Sequence, residues 1–137
     1  MDARFKRDVG SLPAIFELTA AFFERHRLDR SALRVVDFVI EELFTNMVKY
    51  STETDSDVSV GLAVVDREVE VILIDYDVEP FDVTETPDVD VNAPIEARRP
   101  GGLGLFLVRK MVDSIEYQYA DRQSRIMFRK AMGEGHA

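Results

Sequence analysis

Apolar residues recur at helical spacing in two segments of the N-terminal half of the chain. The longer segment runs from about residue 30 to residue 50, and Asp29 or Ser31 can cap its start. One face of this predicted helix is formed by Val36, Val39, Ile40, Leu43 and Met47. A shorter helical pattern covers residues 11–28. The chain therefore begins with two amphipathic helices behind a short N-terminal segment.

Alternation of apolar and polar residues predicts β-strands elsewhere in the chain. The alternating segments are 3–9, 58–65, 68–75, 115–120 and 125–132. Short polar turns separate the second from the third and the fourth from the fifth, which predicts two antiparallel hairpins. A third helix is predicted within residues 101–114. This element order predicts an α+β fold, a two-layer α/β sandwich with helices on one face of a mostly antiparallel sheet.

Residues 76–100 show no periodicity and contain four prolines. A connection of this length inside a small domain is usually functional or mobile. The segment is also acidic, with seven Asp or Glu residues between positions 75 and 90 and no basic residue among them. An acidic run of this kind most often means a solvated or disordered segment.

The composition of the 137 residues is that of one globular domain, with 46% hydrophobic and 31% charged residues. The net charge of -9 has the wrong sign for binding nucleic acid or an anionic membrane, so neither is expected as a general partner. The absence of cysteine excludes disulfides and thiolate zinc sites. We find no secretory signal and no long apolar run, and we expect a cytoplasmic protein.

Glu42 and Asn46 lie within about 40° of each other at the edge of the apolar face of the long predicted helix. A carboxylate and an amide in a buried position need polar partners, and a bound metal or a water could supply them. The simpler alternative is a local i, i+4 hydrogen-bonded pair on a half-exposed edge. From these two residues alone, the local pair is the favoured interpretation.

A glycine cluster precedes the third predicted helix, at Gly101, Gly102 and Gly104. Glycines at a helix start let backbone N–H groups converge on an anion, although a tight chain turn alone could also require them. Arg98 and Arg99 stand just upstream and favour phosphate as that anion. The spacing matches neither a P-loop nor a dinucleotide-binding motif. Asp75 is a second candidate, because it ends an apolar strand at the edge of the core.

Three segments together resemble the N-box and glycine-box regions of the GHKL (Bergerat-fold) ATPases, in the order used by that superfamily. They are EELFTNMVKYS, DYDVEPFD and RRPGGLGLFLVRKMVD. More narrowly, the chain is similar to the anti-sigma-factor serine/threonine kinases of the partner-switching type. The resemblance extends from the first predicted strand to the last, and it implies the Bergerat ATP-binding fold for the single domain 1–137.

The resemblance implies a role for each matching residue. Glu42 corresponds to the general base, Asn46 to the magnesium ligand and Asp75 to the aspartate that binds the adenine amino group. Gly101, Gly102 and Gly104 match the phosphate-facing glycines, with Arg98 and Arg99 beside them, and residues 76–100 match an ATP lid. The implied cofactors are ATP and Mg²⁺. The implied partners are a STAS-type anti-anti-sigma protein, as phosphate acceptor, and a sigma factor. Oligomeric state stays open, although members of the family often form homodimers.

One residue departs from the family pattern. Asp77 stands where the family has a glycine two residues after the adenine-binding aspartate. Its side chain and charge are expected to weaken nucleotide binding, although aspartate tolerates a positive φ better than most residues. The alternative function is therefore a non-catalytic partner-switch module with weakened or lost ATP use. A sensor histidine kinase domain is a third hypothesis, and it is disfavoured because we find no phospho-acceptor histidine domain or membrane segment.

Overall fold

The computed structural model describes residues 1–85 and 102–132. Its strands are Asp2–Phe5 (β1), Val58–Val65 (β2), Glu68–Tyr76 (β3), Ser114–Ala120 (β4) and Gln123–Ala131 (β5). Its α-helices are Leu12–Arg25 (α1), Arg30–Tyr50 (α2) and Gly102–Met111 (α3). Single turns of 3-10 helix occur at Val9–Ser11 and Val83–Glu85. None of the helices in the described parts of the chain is long and apolar enough to cross a lipid bilayer.

The five strands form one sheet in the order β1-β2-β3-β5-β4, and every neighbouring pair is antiparallel. Burial alternates along the central strand β3, where Val69, Val71 and Leu73 are buried and face the helices. Asp75 continues this inward-facing series at the end of the strand. The predicted two-layer α+β sandwich is confirmed, with the helices packed on one face of the sheet.

Helix α2 follows its predicted bounds. Asp29 caps its start, because the side chain of Asp29 accepts a hydrogen bond of 2.9 Å from the backbone N–H of Ser31. The buried face of the helix contains Val36, Val39, Ile40, Leu43, Phe44 and Met47. This face packs on the sheet and fixes the rotation of the helix, which brings Asn46 to a buried position.

Two strand boundaries differ by more than one residue from the sequence-based prediction. β1 ends at Phe5 instead of continuing to residue 9, because the Asp8 side chain accepts from Gly10 N–H at 3.0 Å and starts a 3-10 turn. β5 begins at Gln123, so the turn before it is reduced to Asp121 and Arg122, which have φ values of 52° and 60°. Ser124 is therefore a strand residue that faces the core.

Part of the predicted phosphate region lies outside the described residues. This applies to Arg98, Arg99 and Gly101, and to residues 86–100 of the predicted lid. Gly102 begins α3, and Gly104 lies in its first turn.

Candidate functional site

A cavity of about 140 Å³ opens between α2, the end of β3 and the start of β5. Its walls include Asn46, Met47, Asp75, Phe81, Ser124 and Ile126. The fold thus brings together Asn46 and Asp75, which are 29 positions apart in the sequence. Mixed walls of this kind suit a ligand with an apolar body and a few polar groups.

Asn46 has an unpaired oxygen at this cavity. The residue is 8% exposed, and its side-chain Oδ1 is buried without a hydrogen-bond partner among the described residues. A local pair with Glu42 cannot satisfy this atom, because an ionised carboxylate only accepts hydrogen bonds. An unpaired buried amide oxygen is costly, so a ligand that binds Oδ1 of Asn46 at this cavity would offset that cost.

Glu42 lies one helical turn before Asn46 and is half-buried. Its carboxyl group lies against Gly104 of α3, and a Cβ atom at position 104 would come within 2.9 Å of Glu42 Cδ. A side chain at position 104 would therefore force the carboxyl group of Glu42 to shift. The structure brings Glu42 to the first turn of α3.

Asp75 is 2% exposed and forms an ion pair with Arg7. Arg7 follows β1, and its guanidinium also donates to two backbone carbonyls, Met47 O at 3.1 Å and Ser56 O at 3.2 Å. Burial lowers the pKa of Arg7, while the nearby Glu53 and Asp55 act in the opposite direction. Sequence reasoning did not identify Arg7, because a basic residue near the N-terminus gives no sign of a partner 68 positions away.

Ser124 is a second residue that sequence reasoning missed. It is directly opposite Asp75 in the register of β3 and β5, and it lines the cavity. Its hydroxyl is 3.2 Å from the hydroxyl of Tyr117. The sequence pattern placed Ser124 in a turn, and only correct pairing of the two strands would have put it beside Asp75.

Asp77 adopts a φ of 56°, in the left-handed region where the family pattern has glycine. Its side chain is 61% exposed and accepts from Nε of Arg122 at 2.8 Å. Arg122 also donates to Glu79 at 3.1 Å, and the hydrogen bonds to Asp77 and Glu79 raise the pKa of Arg122. The negative charge of Asp77 is thus offset by the guanidinium of Arg122 in the β4–β5 turn.

The chain after β3 is attached to β4 and β5 by several hydrogen bonds. The N–H of Val78 donates to Arg122 O at 3.0 Å, and the Tyr119 hydroxyl donates to Val78 O at 2.7 Å. The N–H of Phe81 donates to the Tyr117 hydroxyl at 2.9 Å. The first residues of the predicted lid are therefore held on the sheet and form one wall of the cavity.

Comparison with known proteins places this arrangement in a family. The chain matches the family described as "Histidine kinase-like ATPase domain" over residues 5–130. It is 29% identical over 102 residues to serine-protein kinase RsbW of Listeria monocytogenes, covering 70% of this chain and 64% of that protein. It is 28% identical over 83 residues to serine-protein kinase RsbW of Oceanobacillus iheyensis, covering 56% of this chain and 52% of that protein.

The chain thus spans less than two thirds of the length of these curated relatives. Its fold is similar to the crystal structure of the RsbU and RsbW domains of Rv1364c from Mycobacterium tuberculosis. The TM-score is 0.69 at 12% sequence identity, over 96% of this chain and 32% of that chain. The family predicted from the three motifs is confirmed by these matches. The chain belongs to the histidine kinase-like ATPase domain family, and it is similar to RsbW serine-protein kinases.

Proposed function

We propose that the chain is an ATP- and Mg²⁺-dependent protein serine/threonine kinase of the anti-sigma type. Its acceptor is a serine or threonine on a STAS-type antagonist, and its second partner is a sigma factor that it sequesters. The observation that carries the proposal is the unpaired Oδ1 of Asn46 in a cavity that also contains the buried carboxylate of Asp75. Two relatives that are named serine-protein kinases support it.

The adenine ring occupies the cavity in this proposal. The carboxylate of Asp75 accepts a hydrogen bond from the amino group of the base, and Ser124 lies beside it. Met47, Phe81 and Ile126 offer apolar contacts to the ring. A buried charged acceptor with apolar walls suits a planar ring that carries a donor at one edge.

Mg²⁺ fits Asn46, because an amide oxygen is a suitable ligand for this hard cation. The described residues contain no group of three or more His, Asp or Glu side chains that could hold a metal ion without help. A magnesium ion at such a site takes most of its ligands from phosphate oxygens and water. When bound, it offsets the negative charge of the phosphates.

Glu42 is the proposed general base. Its half-buried carboxylate is one turn from Asn46 and can accept the proton of a serine or threonine hydroxyl. Backbone N–H groups at Gly101, Gly102 and Gly104 hold the phosphates, together with the start of α3. Arg98 and Arg99 stay part of the proposed phosphate site, and residues 76–100 stay a proposed lid.

The non-catalytic alternative rests on Asp77. Nothing in its described geometry favours that alternative, because the carboxylate is mostly exposed and is bonded to Arg122. The homodimer, the cytoplasmic location and the single-domain organisation over 1–137 stay predictions from the sequence.

Calorimetric titration of the chain with ATP, with and without Mg²⁺, tests the first part of the proposal. We expect binding that tightens when Mg²⁺ is present. Transfer of labelled phosphate from ATP to a serine on a STAS-domain protein tests the second part. ATP binding without transfer to any STAS-domain acceptor would contradict the kinase, and the absence of binding would favour the non-catalytic module.

A further inference from the structure

Arg7 contacts Asp75 from outside the motifs that identify the nucleotide site. It lies in the segment between β1 and α1, and its guanidinium uses all three nitrogens. Nε donates to Ser56 O at 3.2 Å, one terminal nitrogen donates to Met47 O at 3.1 Å, and the other bonds Oδ1 of Asp75. The direction of the guanidinium is therefore fixed by the backbone at the end of α2 and before β2.

Both side chains of this ion pair are buried. Arg7 is 6% exposed and Asp75 is 3% exposed at the side chain. A carboxylate in such a place is costly unless a cation and hydrogen bonds compensate its charge. Among the described residues, no other basic side chain forms an ion pair with Asp75. Arg7 is thus the cation that compensates the carboxylate of Asp75 where it lines the cavity.

The protonation state of Asp75 decides which base it can bind. An ionised carboxylate only accepts hydrogen bonds, whereas a protonated carboxyl group can also donate one. Adenine carries an amino group at its C6 edge, and guanine carries a carbonyl oxygen at the equivalent position. An ionised Asp75 pairs with the adenine amino group and faces the guanine oxygen as a second acceptor, which is repulsive.

We propose that Arg7 is a specificity-determining residue that holds Asp75 as a fixed, ionised acceptor and so makes the site select adenine over guanine nucleotides. This inference rests on the proposed nucleotide site. It goes beyond that site because it assigns base selectivity to a residue outside the N-box and glycine-box regions. Arg7 acts through Asp75 and is a positioning residue.

A purely structural role for Arg7 makes a different prediction. Arg7 joins the chain after β1 to α2 and to the segment before β2, so its loss could loosen the whole cavity. A looser cavity would weaken the binding of adenine and guanine nucleotides by similar factors. The ratio of the two affinities therefore separates a selectivity role from a structural one.

The experiment measures binding of ATP and GTP, each with Mg²⁺, to the full chain by calorimetry. We expect the wild type to prefer ATP by at least about 100-fold, because a site built around one hydrogen bond rejects a base that lacks it. Arg7→Met should lower this ratio by at least about tenfold. Arg7→Lys, which keeps the positive charge, should keep the ratio within about threefold of the wild type.

Arg4→Met is the matched control, since Arg4 is on β1 and stacks on the Tyr76 ring, away from the cavity. Arg4→Met should leave the ratio of ATP to GTP affinity unchanged. If Arg7→Met does not fold, Arg7→Gln replaces it in the comparison with Arg7→Lys. If the wild type binds ATP and a folded neutral variant of Arg7 has the same ratio of ATP to GTP affinity, this inference is overturned and the proposed function is not. A wild type that binds neither nucleotide overturns the proposed function and this inference with it.

Discussion

The carboxyl group of Glu42 lies against the backbone of Gly104, where a Cβ atom would come within 2.9 Å of Glu42 Cδ. Gly104 therefore has a packing role that the motif GGLG does not reveal. It gives the proposed base on α2 access to the first turn of α3, where phosphate is expected. The close contact at this position is with the end of the flexible Glu42 side chain, and Gly104 has no positive φ.

Gly104→Ala should reduce phosphate transfer by at least about tenfold, because the new methyl group displaces the carboxylate of Glu42 from the reacting hydroxyl. ATP affinity should fall less than the transfer rate. Single-turnover transfer and calorimetric binding of the same preparation measure the two effects.

Gly61→Ala in β2 is the control for this substitution. A Cβ atom at position 61 would meet Cβ of Asp2 at 3.6 Å, which is an ordinary contact. Gly61→Ala should therefore leave transfer unchanged. Equal losses in the two variants would contradict a specific role for the Glu42–Gly104 approach.

Glu42→Gln should retain nucleotide binding and lose most of the phosphate transfer, because glutamine keeps the shape of the side chain but cannot accept the proton. Glu41→Gln is a matched control on an exposed position of the same helix. Wild-type rates in Glu42→Gln would show that the base assignment is wrong.

Asn46→Ala should remove the part of ATP binding that depends on Mg²⁺, since its Oδ1 is the unpaired oxygen at the cavity. Titration in excess chelator should give similar ATP affinities for the variant and the wild type. Titration with Mg²⁺ should separate them by about tenfold, equivalent to about 1.4 kcal/mol. A variant that retains the full Mg²⁺ effect would exclude Asn46 as the ligand.

Much of this fold could be predicted from local patterns. The bounds of α2 followed from its apolar spacing and the Asp29 cap, and Asp75 was indicated by its position at the end of an apolar strand. Arg7 and Ser124 could not be found in this way. Their place beside Asp75 depends on a long-range ion pair and on the register of β3 with β5, and neither leaves a local sequence signal.

Asp37 gives a prediction for the dependence of stability on pH. Burial raises its pKa, Glu41 adds to this effect, and the hydrogen bond from the Thr19 hydroxyl at 2.6 Å opposes it. Because the pKa in the folded state exceeds that in the unfolded state, the native carboxylate costs stability at neutral pH, and this cost disappears as the pH falls below the unfolded value.

Asp37→Asn should therefore raise the midpoint of thermal unfolding at neutral pH, and the gain should shrink as the pH approaches about 4. Asparagine can still accept the hydrogen bond from Thr19 through Oδ1. Thermal scans of both proteins across this range measure the effect. A gain that does not change with pH would contradict the assigned cause.

Asp77 places a negative charge where the family has glycine, and its ion pair with Arg122 should limit the effect of that charge on ATP binding. With its carboxylate exposed and bonded to Arg122, Asp77 should repel a bound triphosphate only weakly. Asp77→Gly should thus change ATP affinity by less than about threefold, which is within the range of an exposed ion pair. Arg122→Ala leaves Asp77 and Glu79 without their cation and should weaken ATP binding, more strongly at low salt.

The double variant Asp77→Gly with Arg122→Ala should recover part of the ATP affinity that Arg122→Ala loses. The reason is that it removes Asp77, one of the two carboxylates left without a cation. Arg125→Ala is the matched control, since Arg125 lies on β5, close to Arg122 in the chain, and bonds Gln118 at 3.3 Å. Calorimetric titration with ATP at low and high salt measures the four variants and the wild type. A loss in Arg122→Ala that salt does not change, or that Arg125→Ala reproduces, would show that Arg122 does not act by neutralising Asp77.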